Sequence, residues 1–218
     1  MQKKMLLILV VLAMGTALLL PGVAAANLVL TFDDLTAAYP IPQATPLPDN
    51  YGGFSWSGTG GYWGLVANSD YRGIYRNNFN FPSNPNIVTN ESPDQMGAPT
   101  LAISHSTPFT FEGAYFSAWT GYGGSYYGAN SLTIIGELGG EVVGKTTISL
   151  YAGPLSWYAI GFTNIDSLTF MPSVGTNGGR YFVMDNFTDV ASPVPIPGSL
   201  ALLGTGLLGL GLMRFRKV

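Results

Sequence analysis

Between Asn27 and Pro193, Gly, Pro, Asn and Ser break the chain about every eight to fifteen residues, a spacing that admits strands and turns but no helix of ordinary length. The residues between the breaks agree. Tyr, Thr, Phe and Val fill them, and runs of Leu, Ala, Glu and Lys are absent. An all-β domain is therefore expected.

The strands are read from their alternation. Leu28 to Phe32 is apolar enough for a first strand and ends in Asp33-Asp34. Tyr39 to Asp49 carries four prolines and reads as a loop. In Tyr51 to Trp56, Phe54 and Trp56 share one face at period two. From Gly58 to Pro99 the sequence turns rich in Gly, Asn, Ser and Pro, and this long stretch is expected to be irregular and to face a ligand. Thr100 to Ser104 and Phe109 to Trp119 follow as strands, the second apolar on both faces, central, and bulged at Gly113. Ser131 to Leu138 and Glu141 to Leu150 flank Gly139-Gly140, a pair that supplies the positive φ of a two-residue hairpin. Ser156 to Phe162, Ile165 to Met171 and Arg180 to Val190 complete the set, with Leu168 and Phe170 on one face. Eight to ten antiparallel strands in about 165 residues predict a β-sandwich, jelly-roll-like in its winding.

Both ends of the chain read as targeting segments. Lys3 and Lys4 precede an apolar run from Met5 to Leu20, Pro21-Gly22 breaks it, and Ala24-Ala25-Ala26 offers a cleavage site, so residues 1–26 are expected to form a secretory signal helix. At the other end, residues 193–218 join Val194-Pro195-Ile196-Pro197, an uncharged run from Gly198 to Met213, and a basic close at Arg214, Arg216 and Lys217. Sixteen helical residues cover about 24 Å of a core of roughly 30 Å, so this is a short transmembrane helix with its basic terminus on the cytoplasmic side. Residues 27–192 lie between as one domain.

That tail resembles the PEP-CTERM sorting domain of bacteria with exosortase systems. The resemblance rests on Val194 to Leu200, on the Leu-Leu-Gly-Thr-Gly-Leu-Leu-Gly-Leu body from Leu202 to Leu210, and on the Arg-rich end. It implies recognition by an exosortase and delivery to the cell surface or exopolysaccharide. Ile196 stands where the family carries Glu, so cleavage of the tail is a separate question from sorting. A plain C-terminal anchor is the alternative. A weaker resemblance covers Phe32-Asp33-Asp34-Leu35, Pro48 to Trp56, Phe111 to Trp119 and Phe182 to Phe187, and looks like the jelly-roll module of secreted PEP-CTERM proteins and distant carbohydrate-binding sandwiches. It implies neighbouring first and last strands, and no defined activity.

Charge narrows the partners. Residues 27–192 hold Arg72, Arg76, Lys145 and Arg180 against all twelve carboxylates, a formal charge of −8. Nucleic acid is excluded by that balance, whereas cations and neutral glycans fit it. With no cysteine the exported domain has neither disulfide nor thiolate site.

Three groups of residues carry candidate chemistry. If the first and last strands are neighbours, Asp33, Asp34 and Asp185 converge on one edge as calcium ligands, a structural cofactor role; otherwise Asp33 caps a turn and Asp185 accepts from loop N–H groups. Tyr62, Trp63, Tyr71, Tyr75, Tyr122, Tyr126 and Tyr127, lying in glycine-rich stretches, are candidate glycan contacts, because aromatic faces stack on sugar rings. Phe32, Phe54, Trp56, Phe111, Phe116, Trp119, Phe170 and Phe182 are assigned to the core. His105 is the only histidine and reads as a strand-edge residue. The sequence thus predicts a non-catalytic carbohydrate or exopolysaccharide module on an exported surface protein. Its rivals are a glycan-cleaving enzyme using a carboxylate pair, drawn from residues such as Glu91, Asp94, Glu112, Glu137 and Glu141, and a purely structural surface protein.

Overall fold

In the computed structural model, the described residues are 27–38, 44–67, 81–94, 96–119 and 127–190. The expected signal helix and C-terminal helix lie outside them, as do Val194, Pro195, Ile196, Pro197, Arg214, Arg216 and Lys217, and Tyr71, Tyr75, Tyr122 and Tyr126. Among the described residues no helix is long and apolar enough to cross a membrane.

Among the described residues eleven strands follow in order: β1 (Asn27–Leu30), β2 (Thr45–Pro46), β3 (Asn50–Tyr51), β4 (Phe54–Thr59), β5 (Tyr62–Ala67), β6 (Asn86–Glu91), β7 (Thr100–Ala118), β8 (Ser131–Leu138), β9 (Glu141–Ser149), β10 (Ser156–Pro172) and β11 (Phe182–Val190). Every paired set is antiparallel. The described residues are all-β, as the turn spacing between Asn27 and Pro193 predicts.

Two long strands organise the rest. The first half of β7, Thr100–Ser104, pairs with β4 and with the second half of β10; its second half, from Phe109 on, pairs with β11 and with the first half of β10. One hydrogen-bonded sheet therefore folds over itself. The fold line crosses β10 where its register shifts between Ala159 and Ser167, around Gly161 (φ 71°) and Asn164 (φ 55°). One layer runs β9-β8-β10-β7-β4, and the other runs β10-β7-β11-β6-β5-β2, with β1 beside β11. The first and last strands are thus neighbours, from Asn27 opposite Val190 to Leu30 opposite Phe187.

Aromatic rings fill the space between the layers. Trp56 on β4 meets Trp63 on β5 edge to face at 5.4 Å, and Trp63 meets Phe170 on β10 at 5.4 Å and Phe182 on β11 at 5.9 Å. Phe111 stacks on Phe187 at 4.9 Å. Each such pair adds about 0.5–1.5 kcal/mol to the burial of its area. Leu168 and Phe170 are both fully buried, as their shared face predicts.

Gly139-Gly140 turns between β8 and β9 with φ of 60° and 84°, the left-handed pair the hairpin needs. Gly113 serves close approach instead. A Cβ there would strike the carbonyl oxygen of Tyr158 on β10, so only glycine lets the two central strands meet at that point.

The Gly58 to Pro99 stretch departs from expectation. It contains two interior strands, β5 and β6, and β6 is buried along its whole length. Its polar residues are interior partners: Asn90 accepts from Phe182 N at 2.8 Å and donates to the carbonyls of Ala98 (3.0 Å) and Arg180 (2.9 Å). Asn86 donates to the carbonyls of Phe32 and Leu35, each at 2.8 Å. The two strands expected at Thr100 to Ser104 and Phe109 to Trp119 are one continuous strand, as are those at Ser156 to Phe162 and Ile165 to Met171.

Candidate functional site

A cleft of about 400 Å³ opens beside the β4–β5 connection, lined by residues from Pro46 to Trp63. It lies where the β4 flank of one layer faces the β2–β5 flank of the other. That volume falls within the roughly 300–1,000 Å³ of small-ligand clefts.

Strand alternation explains the lining. Along β4, Phe54 and Trp56 point into the core while Ser55 and Ser57 are exposed. Along β5, Trp63 and Leu65 turn inward to the interlayer core, and Tyr62 remains 36% exposed at the strand's first position. Its hydroxyl donates to the carbonyl of Ala44 at 3.4 Å, and burial raises its pKa, with the charge of Glu91 adding to the rise. Asp49 completes the polar lining from the β2–β3 connection, its carbonyl accepting from Trp56 N at 2.9 Å. Gly61 lies so close to the Glu91 carbonyl oxygen that a side chain would not fit, which brings the β4–β5 connection tight against β6.

Trp63 requires a correction. It is 2% exposed, its Nε1 donates to the Ala102 carbonyl at 3.2 Å, and its ring sits among Trp56, Phe170 and Phe182. No sugar can reach it. The glycine-rich surroundings that made it look exposed are close-approach positions of buried strands. Tyr127 is half-buried against a second apolar cluster on the outer side of β5, β6 and β11, formed by Val66, Ile87, Trp119, Leu155, Tyr181 and Val183. Of the expected glycan contacts in the described residues, Tyr62 and Trp63 both border the cleft, and of the two only Tyr62 offers it an exposed side chain.

The three aspartates go to separate partners. Asp185 is fully buried, accepting from Ser83 N (3.0 Å), from Ser83 Oγ (2.8 Å) and from Asn186 N (2.7 Å). Asp33 accepts from Asn86 N at 3.0 Å, and Asp34 accepts from the Tyr51 hydroxyl at 2.6 Å. Burial pushes the Asp185 carboxyl up to about 6. Among the described residues, no three His, Asp or Glu side chains gather as metal ligands.

A second buried acid lies behind the cleft. Glu91, opposite Tyr62 in the β5–β6 register, is pushed up to about 7 by burial, and the Tyr181 hydroxyl donates to it at 3.4 Å. His105 packs its ring on Phe54 at 5.1 Å, with Nδ1 2.8 Å from the Thr107 carbonyl oxygen.

No family model and no curated protein matches the chain significantly. Among solved structures, it is similar to a crystal structure of the K2 cleaved adhesin domain of Lys-gingipain, with 12% identity and a TM-score of 0.43 over 77% of this chain and all of that one. It is also similar to the Stig cyclase Fisc from Fischerella sp. TAU, with 12% identity and a TM-score of 0.48 over 78% of this chain and all of that one. A third is the N-terminal CBM22-1-CBM22-2 tandem domain of Paenibacillus barcinonensis Xyn10C, with 11% identity and a TM-score of 0.44 over 81% of this chain and 49% of that one.

Sequence reasoning missed Asp49, Ser55 and Ser57. Ser55 and Ser57 carry a signal in their alternation with Phe54 and Trp56. Asp49 carries none, because its place depends on how the proline-rich segment folds back beside β5.

Proposed function

We propose that the chain is an exported envelope protein whose jelly-roll-like sandwich binds neutral glycan of the surrounding exopolysaccharide, without cleaving it, in the cleft beside Tyr62. In this reading residues 1–26 direct export and the PEP-CTERM-type tail, residues 193–218, holds or sorts the protein through its membrane helix and an exosortase-type enzyme.

One observation carries the glycan assignment: the cleft sets the exposed ring of Tyr62 among Asp49, Ser55 and Ser57. A sugar ring offers an apolar C–H face to an aromatic surface and hydroxyls at its rim, and this lining answers both. The formal charge of −8 favours a neutral polymer over a polyanionic one.

The test is titration of the compact unit Ala26–Ser192 against exopolysaccharide from the producing cells. Saturable binding is expected, falling at least about tenfold, or ~1.4 kcal/mol, in Tyr62→Ala with the fold retained. Binding that ignores Tyr62→Ala rejects the cleft, and no binding by the folded unit favours a structural surface protein. Release of reducing ends would replace the binding module with an enzyme. If the tail is processed, protein extracted from the cell surface has an intact mass lacking everything beyond Pro195 to Pro197; a mass retaining Arg214 to Val218 leaves a plain anchor.

A further inference from the structure

The wall of the cleft rests on a buried acid. Glu91 faces Tyr62 across the β5–β6 ladder, so the two side chains share one face of the sheet. The Glu91 carbonyl oxygen lies where a Cβ on Gly61 would stand, and its Cγ lies 2.6 Å from the Cβ position of Gly64. Residues 61–64 can therefore lie against Glu91 only because both of their ends are glycine. Tyr62 and Trp63, which border the cleft, are the two residues between those glycines.

The surroundings of the Glu91 side chain suit its neutral form. It is 8% exposed, and its one hydrogen-bond donor among the described residues is the Tyr181 hydroxyl at 3.4 Å. Tyr62 on β5 and Tyr181 before β11 are the titratable groups facing it, and burial raises both, with the charge of Glu91 adding to each rise. Asp94, past the end of β6, is exposed and is held low by the Ser92 hydroxyl, and the charge of Arg180 acts there. Ala44, which meets Glu91 over Gly64 from the segment before β2, brings no charge. Among these groups Glu91 alone changes charge between about pH 5 and 8, because burial pushes it up to about 7.

A sugar stacked on Tyr62 strips solvent from the ring that neighbours Glu91. A neutral glycan brings no cation in exchange, so the cost of a charged Glu91 rises on binding while that of a protonated one does not. Binding then takes up a proton. Affinity is accordingly full where Glu91 is already neutral and falls as pH rises past its value in the free protein.

We propose that Glu91 gates the Tyr62 cleft, which holds glycan tightly when the Glu91 carboxyl is protonated and weakly when it is charged. The gate rests on the glycan reading of this cleft and adds its regulation.

The test is calorimetric titration of the protein purified from producing cells with size-fractionated exopolysaccharide fragments from the same cells, at pH 6 to 8.5 and in buffers of different ionisation enthalpy. A further tenfold gain in the proton affinity of Glu91 on binding lowers Kd about sevenfold from pH 8.5 to pH 6, and takes up about half a proton per site at pH 7.5. Glu91→Gln, which keeps the neutral shape, should bind at every pH within about twofold of the wild-type affinity at pH 6, with no proton uptake. The proton count on the wild-type protein tests the gate without any variant. Saturable binding with a flat pH profile and no proton uptake overturns the gate and leaves the glycan reading intact, as does a pH profile that Glu91→Gln does not change. Absence of binding by folded protein at every pH overturns both.

Discussion

The Ser83 hydroxyl lies 2.8 and 3.0 Å from the two carboxylate oxygens of Asp185, and so ties the segment before β6 to the last strand across 102 residues of chain. The carboxylate it meets is held in an unfavourable charge state. Burial raises Asp185 to about 6 even though Ser83 and Asn186 donate to it, and burial raises Glu91 to about 7 against the donation from Tyr181. Asp189, raised by burial despite its bond from Thr110 N, acts in the same direction.

These raised carboxyls set a pH dependence. An unfolded chain titrates its carboxyls near 4, so between about pH 4 and 7 the folded state binds more protons than the unfolded one. Stability should therefore rise as pH falls from 8 towards 5 and level off near 4. Each tenfold gain in proton affinity on folding is worth about 1.4 kcal/mol, so the total is on the order of a few kcal/mol. Urea denaturation of residues 26–192 across this range measures it, and Glu91→Gln should remove most of the change between pH 8 and 6. A flat profile from pH 8 to 5 would show that neither acid is buried in its charged form.

Trp63 is predicted to matter for stability and not for binding. Its ring bridges β4, β10 and β11 through Trp56, Phe170 and Phe182, so Trp63→Ala empties the centre of the interlayer core. The expected loss is about 3–5 kcal/mol. Tyr62→Ala, one residue away on the opposite face of β5, should lose about 1 kcal/mol or less, as expected for an exposed side chain. Equal effects on stability would contradict the placement of the two rings.

Asn90 should be as sensitive as a core aromatic. Its side chain satisfies Phe182 N and the carbonyls of Ala98 and Arg180 where water cannot replace it. Asn90→Ala orphans three buried backbone groups at about 1–3 kcal/mol each, with partial relaxation, so a loss of about 3–5 kcal/mol is expected in chemical denaturation. A loss below about 1 kcal/mol would mean that water enters the site.

How far the fold was legible follows from where its information lies. The Gly139-Gly140 hairpin, the inward pairs Phe54/Trp56 and Leu168/Phe170, and the all-β class are local signals of turn chemistry and alternation, and the structure agrees with each. Strands β5 and β6 were illegible because Asn86, Thr89 and Asn90 resemble loop residues until their partners, Phe32, Leu35, Phe182 and Arg180, are brought up from distant sequence. Trp63 was misread for the same reason. The cleft was half legible: Tyr62 was singled out, but its polar neighbours come together only when residues 46–49 lie alongside β5 and the exposed flank of β4.

Gly113 supplies the sharpest test of the central strand pair. Its missing side chain lets β7 approach the Tyr158 carbonyl of β10 while the Trp157 indole lies over the same position, with Cζ2 3.1 Å from where a Cβ would stand. Backbone cannot move aside as a flexible side chain can, and β7 is fixed on its other flank by Thr188 of β11, opposite Gly113. Gly113→Ala must therefore push apart the two strands that both layers share. The expected cost is about 1–3 kcal/mol from overpacking alone. Gly140→Ala, at a hairpin tip with nothing within 4 Å of the added carbon, should cost about 1 kcal/mol, from its positive φ alone. Thermal denaturation of the two variants side by side separates the effects, and a Gly113→Ala protein as stable as Gly140→Ala would mean that β7 and β10 do not meet at Tyr158.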